Sequence, residues 1–159
     1  MRLNFAPITD SDEPFLLALY SSTRADEMAM VPWDDLQKNA FLQSQFRSQI
    51  QHYSSKYPQG RFETVIFNER KIGRLYVCEL EDEVRILDLT ILPELRGGGF
   101  GTEIISDILQ NTAKPVRINL ESFNRSVGLF RRLGFRVVNE DGFYQLWEGV
   151  GNKSLNAAG

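Results

Sequence analysis

Residues 97–101 read GGGFG, four glycines in five residues, set between an apolar run and a segment with helical periodicity. Glycine loses more backbone freedom on folding than any other residue and costs about 1 kcal/mol relative to Ala inside a helix. The cluster therefore marks a point where the chain turns sharply or where something approaches its backbone closely. Because "EVRILDLTILP" before it reads as a strand and "VRINL" after the helix as another, the chain must contain a strand–helix–strand crossover, expected to be right-handed.

Around that junction the elements follow from period and punctuation. "LNFAPI" reads as a first strand, and Thr9 or Asp10 can cap a helix whose apolar face is Phe15, Leu16, Leu19 and Tyr20. "MAMVPWDD" interrupts the pattern, since Pro32 disfavours helical geometry at Val31. Asp34 or Asp35 can then cap a long helix from Leu36 to Tyr57, whose face is Leu42, Phe46, Ile50, Tyr53 and Tyr57. "RFETVIFN", "KIGRLYVCEL" and "EVRILDLTILP", joined by short polar breaks, predict an antiparallel meander. After the glycines come a helix with Ile104, Ile105, Ile108 and Leu109 inward, the strand "VRINL", the short helix "NRSVGLFRRL", and a closing pair, "GFRVV" with "FYQLWEG". The order predicts a single α/β domain over residues 1–149, with a mixed, mostly antiparallel sheet flanked by helices, and a flexible tail over 150–159.

Composition narrows the function classes. A net charge of −3 offers no general attraction to nucleic acid or anionic membrane, and no aromatic-basic binding motif appears. The opening "MRLNFAPITD" is too short and polar for a signal sequence, and no apolar run approaches the ~20 residues of a membrane span, so the cytoplasm is the expected location. Cys78 is the one cysteine and reads as a buried strand thiol, and the one histidine, His52, has no metal cluster around it.

The glycine segment supports two local readings. Unpaired N–H groups and the positive dipole end of a helix N-terminus suit an anion such as pyrophosphate, and glycines remove the Cβ atoms that would hold it away. The other reading is a tight β–α connection with close helix–sheet packing. A Walker loop is excluded by the absence of a Lys after Gly101, and the dinucleotide pattern fails at its last glycine, where Thr102 stands.

Two motifs taken together are more specific. "RGGGFG" at 96–101 resembles the Arg/Gln-x-x-Gly-x-Gly/Ala signature of the GCN5-related N-acetyltransferase (GNAT) superfamily, and "ESFNRSVGLFRRLGF" resembles its "NPA…LYxRLGF" segment one helix and one strand later. The resemblance implies a GNAT-like acyl-CoA N-acyltransferase fold. It also implies transfer of an acetyl group from acetyl-CoA, as cosubstrate, to an amine acceptor by direct attack in a ternary complex, with no metal. It assigns Arg96, Gly99 and Gly101 to the signature and the amides of Gly97, Gly98, Gly99, Phe100, Gly101 and Thr102 to the pyrophosphate. Ile91 would pair with the pantetheine arm, and Asn124 would contact the cofactor. The family's usual tyrosine proton donor is replaced by Phe130, which leaves a noncatalytic acyl-CoA-binding or interaction protein as the alternative.

On the acceptor side the residues leave choices open. Asp88, an acidic interruption of the apolar strand, is a candidate proton acceptor or a buried structural carboxylate. Odd spacing puts it on the face opposite Ile91. Tyr144 is a candidate proton donor or an ordinary strand aromatic. "MAMVPW" reads either as the lining of an acceptor pocket or as an apolar patch extended into a homodimer contact. Arg125, Arg131 and Arg132 are candidates for neutralising phosphate. The acceptor, a small-molecule amine or a protein amine, has no motif of its own.

Overall fold

The structure is a computed structural model and describes residues 2–153. β1 (Asn4–Pro7) leads into a 3-10 turn over Asp10–Asp12 and then α1 (Glu13–Thr23). Thr9 opens that turn: its backbone N–H and its hydroxyl both donate to the Asp12 carboxylate, at 2.9 and 3.2 Å. A five-residue helix, α2 (Ala25–Ala29), follows, so the break expected across "MAMVPWDD" begins only at Met30. Met28 belongs to the core instead, and the Arg24–Glu27 ion pair at 2.9 Å spans the added turn. α3 (Asp35–Lys56) starts with a reciprocal cap, in which Gln37 N–H donates to Asp34 Oδ1 and Asp34 N–H to Gln37 Oε1.

Seven strands form the sheet in the order β1-β2-β3-β4-β5-β7-β6. β2 (Arg61–Phe67) pairs antiparallel with β1, from Asn4↔Ile66 to Pro7↔Glu63. Asn68 and Glu69, at φ 50° and 65°, form the tight turn into β3 (Arg70–Glu79), the twist a two-residue hairpin requires. β4 (Val84–Ile91) follows the Leu80–Glu83 turn. After α4 (Phe100–Gln110), β5 (Pro115–Glu121) pairs parallel with β4, and this parallel pair makes the sheet mixed. α5 (Val127–Arg132), β6 (Arg136–Asp141) and β7 (Tyr144–Val150) complete the fold, with β7 antiparallel to both β5 and β6.

The chain forms two compact units, to both of which β3 and β4 contribute. One comprises Arg2–Leu75 and Leu89–Arg96. Leu16, Tyr20, Met28, Leu42 and Phe46 make its helical core. Arg74 is buried in it, donating to Gln49 Oε1 at 2.7 Å, with its guanidinium about 6 Å from the Tyr20 and Phe46 rings. Within the same unit the Asp12 carboxylate meets Lys71 Nζ at 2.5 Å. That hydrogen bond, with those from Thr9, holds the Asp12 carboxyl below its usual range despite burial. A lowered folded value stabilises the protein above the unfolded pKa near ~3.9 and loses that contribution as pH falls through the folded value. Denaturant titrations from about pH 5 downward should therefore show wild type losing more stability than Asp12→Asn. Parallel acid profiles would contradict this role for the pair.

The second unit comprises Tyr76–Asp88 and the chain from Gly97 onward. Alternation is clean on β5: Val116, Ile118 and Leu120 are buried, while Arg117, Asn119 and Glu121 share the opposite face. Ile118 pairs with buried Trp147, Arg117 with Glu148, Asn119 with Leu146 and Glu121 with Tyr144, so β7 carries the same two faces. β7 runs through Gly149 to Val150. Beyond it Asn152 N–H donates to Leu109 O at 2.8 Å and Lys153 N–H to Thr112 O at 3.0 Å. The rest of the expected tail, residues 154–159, lies outside the described residues.

Candidate functional site

A 3-10 turn at Pro93–Leu95 ends β4, and Arg96 leaves it in extended geometry. Gly97 and Gly99 then take φ +80° and +89°, a region that side chains with a Cβ rarely occupy. Gly99 is the N-cap of α4 and provides no side-chain cap; the first helical bond runs from Glu103 N–H to Gly99 O at 3.0 Å. The backbone of Gly97–Gly99 is exposed, and a Cβ on Gly97 would meet no heavy atom within 4 Å. An open glycine loop thus precedes a helix whose N-cap residue supplies no side-chain cap, an arrangement suited to an anion.

The close-packing reading of the glycines applies at Gly101. A Cβ on Gly101 would lie 2.8 Å from Leu129 Cδ2 of α5, so Gly101 permits close helix–helix packing. Phe100 sends its side chain into the core, leaving only its backbone to the loop, and Thr102 is exposed on the first turn.

Asn124 is half-buried and locally engaged. Its Oδ1 accepts from Ser126 N–H at 2.8 Å and its Nδ2 donates to Glu121 Oε2 at 2.9 Å, which shapes the turn into α5. Phe130 is 1 % exposed and packs edge-on to Phe135 with centroids 5.0 Å apart, so the position where the family carries a tyrosine is core. Arg125, Arg131 and Arg132 are all exposed, and Arg131 places its guanidinium 5.4 Å from the Trp147 ring.

Asp88 lies two residues beyond Ile86, where the β4–β5 register with Ile118 ends, and Tyr144 pairs with Glu121 at the start of β7. Asp88 is half-buried and Tyr144 is 48 % exposed. Ile91 is half-buried against Gly73, whose Cβ would meet Ile91 Cδ1 at 2.9 Å. Cys78 is buried, and burial pushes its thiol up, which disfavours the thiolate a nucleophile needs. His52 is exposed on α3, and no cluster able to hold a metal occurs among the described residues. No helix among them is long and apolar enough to cross a membrane. In the "MAMVPW" stretch Met28 is core, whereas Met30 (87 %) and Trp33 (40 %) are exposed, Trp33 edge-on to Phe41.

Beside Tyr144 lies a groove of about 230 Å³, lined by Arg85, Asn119, Asn139, Asp141, Tyr144 and Leu146. Sequence reasoning missed all of these but Tyr144. Alternation in "VRINLE" was the one available signal, and it identifies a polar face without its neighbours. Next to the groove Arg117 binds Glu83 at 2.6 Å and Glu148 at 2.8 Å, and Arg85 binds Glu83 at 2.9 Å. The carboxylates, Glu83 first, raise the Arg117 pKa further.

The acetyltransferase (GNAT) domain family model matches residues 30–147, which takes in the glycine loop and the α5 segment. The chain belongs to the GNAT family. Solved structures share its fold. The PaiA N-acetyltransferase from Thermoplasma acidophilum in complex with coenzyme A aligns with 94 % of this chain and 99 % of its own, at TM-score 0.68 and 14 % identity. An acetyltransferase from Thermus thermophilus aligns with 93 % and 96 %, at 0.66 and 17 %. The ribosomal-protein-S18-alanine N-acetyltransferase from Escherichia coli aligns with 96 % of each chain, at 0.60 and 12 %. No curated protein matches. At these identities the structures establish the GNAT architecture alone: an α/β fold with a mixed, mostly antiparallel sheet and flanking helices.

Proposed function

We propose that this GNAT domain transfers an acetyl group from acetyl-CoA to an amine by direct attack in a ternary complex, in the cytoplasm. The observation that carries the reading is the uncapped first turn of α4, opened by Gly99 in left-handed geometry behind an exposed glycine backbone. The residues fit a pyrophosphate. The space beside Gly97 is the room a Cβ would occupy, and the amides of Gly97–Thr102 supply donors at the positive end of a helix dipole.

Acetyl-CoA supplies an activated thioester carbonyl, so the protein's tasks are positioning and proton handling. A free lysine-like amine is neutral in only about one molecule in a few thousand at pH 7, so a proton must leave the acceptor before or during attack. Phe130 can offer no proton to the departing thiolate, and its burial keeps it from the site. We assign that donation to the exposed phenol of Tyr144, and leave Asp88 to a structural or base role. Tyr144→Phe should lower kcat about tenfold to a hundredfold with coenzyme A affinity unchanged, read by thiol release and calorimetry. An unaltered kcat would remove Tyr144 from the mechanism.

Buried Phe130 also favours a second reading, a noncatalytic acyl-CoA-binding protein. Incubation with acetyl-CoA and a broad amine panel separates the two. Thiol release coupled to N-acetyl product supports transfer, whereas tight coenzyme A binding with no product across the panel supports the second reading.

A further inference from the structure

We infer that the groove on the open face of β5, β7 and β6 recognises a small hydrophilic amine, its ammonium held by Asp141 and its neutral polar groups by Asn119, Asn139 and Tyr144. This rests on the acetyl-transfer reading and narrows its acceptor.

Charge is the first argument. Arg85 reaches the groove already paired with Glu83, and Glu83 and Glu148 also engage Arg117, so these two cations and two anions cancel. Asp141 has no ion-pair partner among the described residues and is the unmatched charge on the lining. An anionic ligand would meet that carboxylate with no unpaired cation on the lining to offset it. A cation gains a charge-assisted hydrogen bond.

Hydrogen-bonding capacity is the second. The side chains of Asn119, Asn139, Asp141 and Tyr144 make no hydrogen bond to another described residue, although all four line one groove. Their neighbours are committed: Gln145 donates to Glu140, and Asn124 donates to Glu121. Two amides and a phenol can both donate and accept, which suits hydroxyl or amide groups on the ligand. Leu146 is the one apolar side chain on the lining, so a greasy ligand has little to bury. At about 230 Å³ the groove is smaller than the ~300–1,000 Å³ of pockets for drug-sized ligands.

Position is the third. Arg85 lies inside the β4–β5 register and Asn119 directly follows Ile118, its last residue, so the groove straddles the end of that parallel pairing.

The test is an NMR titration of the full chain with serinol, a cationic aminodiol, against glycerol and glycerate, its neutral and anionic counterparts of similar size. Serinol should shift the amides of Asn119, Asn139, Asp141 and Leu146 saturably, with glycerol and glycerate at least about fivefold weaker. Asp141→Asn, with its folded spectrum verified, should weaken serinol by about fivefold or more. Equal or tighter glycerate binding, no saturable groove shift, or serinol binding indifferent to Asp141→Asn would each overturn the assignment. Coenzyme A calorimetry on the same samples separates the two readings. Coenzyme A binding without a serinol response overturns the groove alone. A serinol response without coenzyme A binding supports the groove and overturns acetyl transfer.

Discussion

A Gly99→Val protein is expected to bind coenzyme A about thirtyfold more weakly than wild type while keeping its native circular dichroism. Gly99 sits at φ 89°, ψ 0°, and a β-branched side chain there costs about 2 kcal/mol, equivalent to about thirtyfold in affinity. The strain is relieved by rotating Gly99 towards negative φ, which re-aims the amides of the loop and of the first turn of α4. The core faces of α4, Ile104, Ile105 and Leu109, lie a turn or more away and should remain packed. Gly101 is a poorer probe, because a Cβ there meets Leu129 and mixes lost packing with any loss of binding. Calorimetry with unfolding measured in parallel decides the matter. A folded Gly99→Val protein with wild-type affinity would end the pyrophosphate assignment.

Phe130→Ala should destabilise the protein by about 3–5 kcal/mol, a large part of the ~5–15 kcal/mol that holds an ordinary domain together. Phe130 is 1 % exposed, and its edge-on partner Phe135 lies so close over Gly149 that a Cβ there would come within 2.6 Å of the ring. Truncation opens a cavity between α5 and the end of β7 that Phe135 cannot fill without leaving Gly149. Phe130→Tyr, which restores the family's hydroxyl, should cost about 1–3 kcal/mol and raise no activity, because the added O–H enters a closed core. Urea unfolding and thiol-release assays on both variants check this. A Phe130→Tyr protein that turned over faster than wild type would show that the ring lines the reaction site instead.

How much of this was legible depends on how far each interaction reaches along the chain. The junction at 97–101 was readable because a left-handed backbone is a one-residue requirement that glycine meets best. The Asp34 cap and the Leu42–Phe46 face were equally local, since capping and helical periodicity act over three or four residues. The break after α1 starts later than the sequence predicts, because burial of Met28 against Leu16, Tyr20, Leu42 and Phe46 decides whether that turn is helical. Two motifs in order were enough for the family, and with it the parallel β4–β5 crossover inside a meander.

What only the tertiary structure decided is which polar side chains meet. The sequence offers Asn124 as a cofactor contact, and the structure adds that its Oδ1 accepts from Ser126 N–H and its Nδ2 donates to Glu121. Gly101 looked equivalent to Gly99 until α5 brought Leu129 against it. Strand register places Tyr144 beside Glu121, on the face of Arg117 and Asn119. Arg85, Asn119, Asn139, Asp141 and Tyr144 come from four strands, and no local rule relates them. Conformational preference, capping and hydrophobic period act between near neighbours in the chain and are therefore written in the sequence one segment at a time. A groove depends on which residues stand abreast on adjacent strands, and that exists only once the β4–β5, β5–β7 and β6–β7 registers have formed.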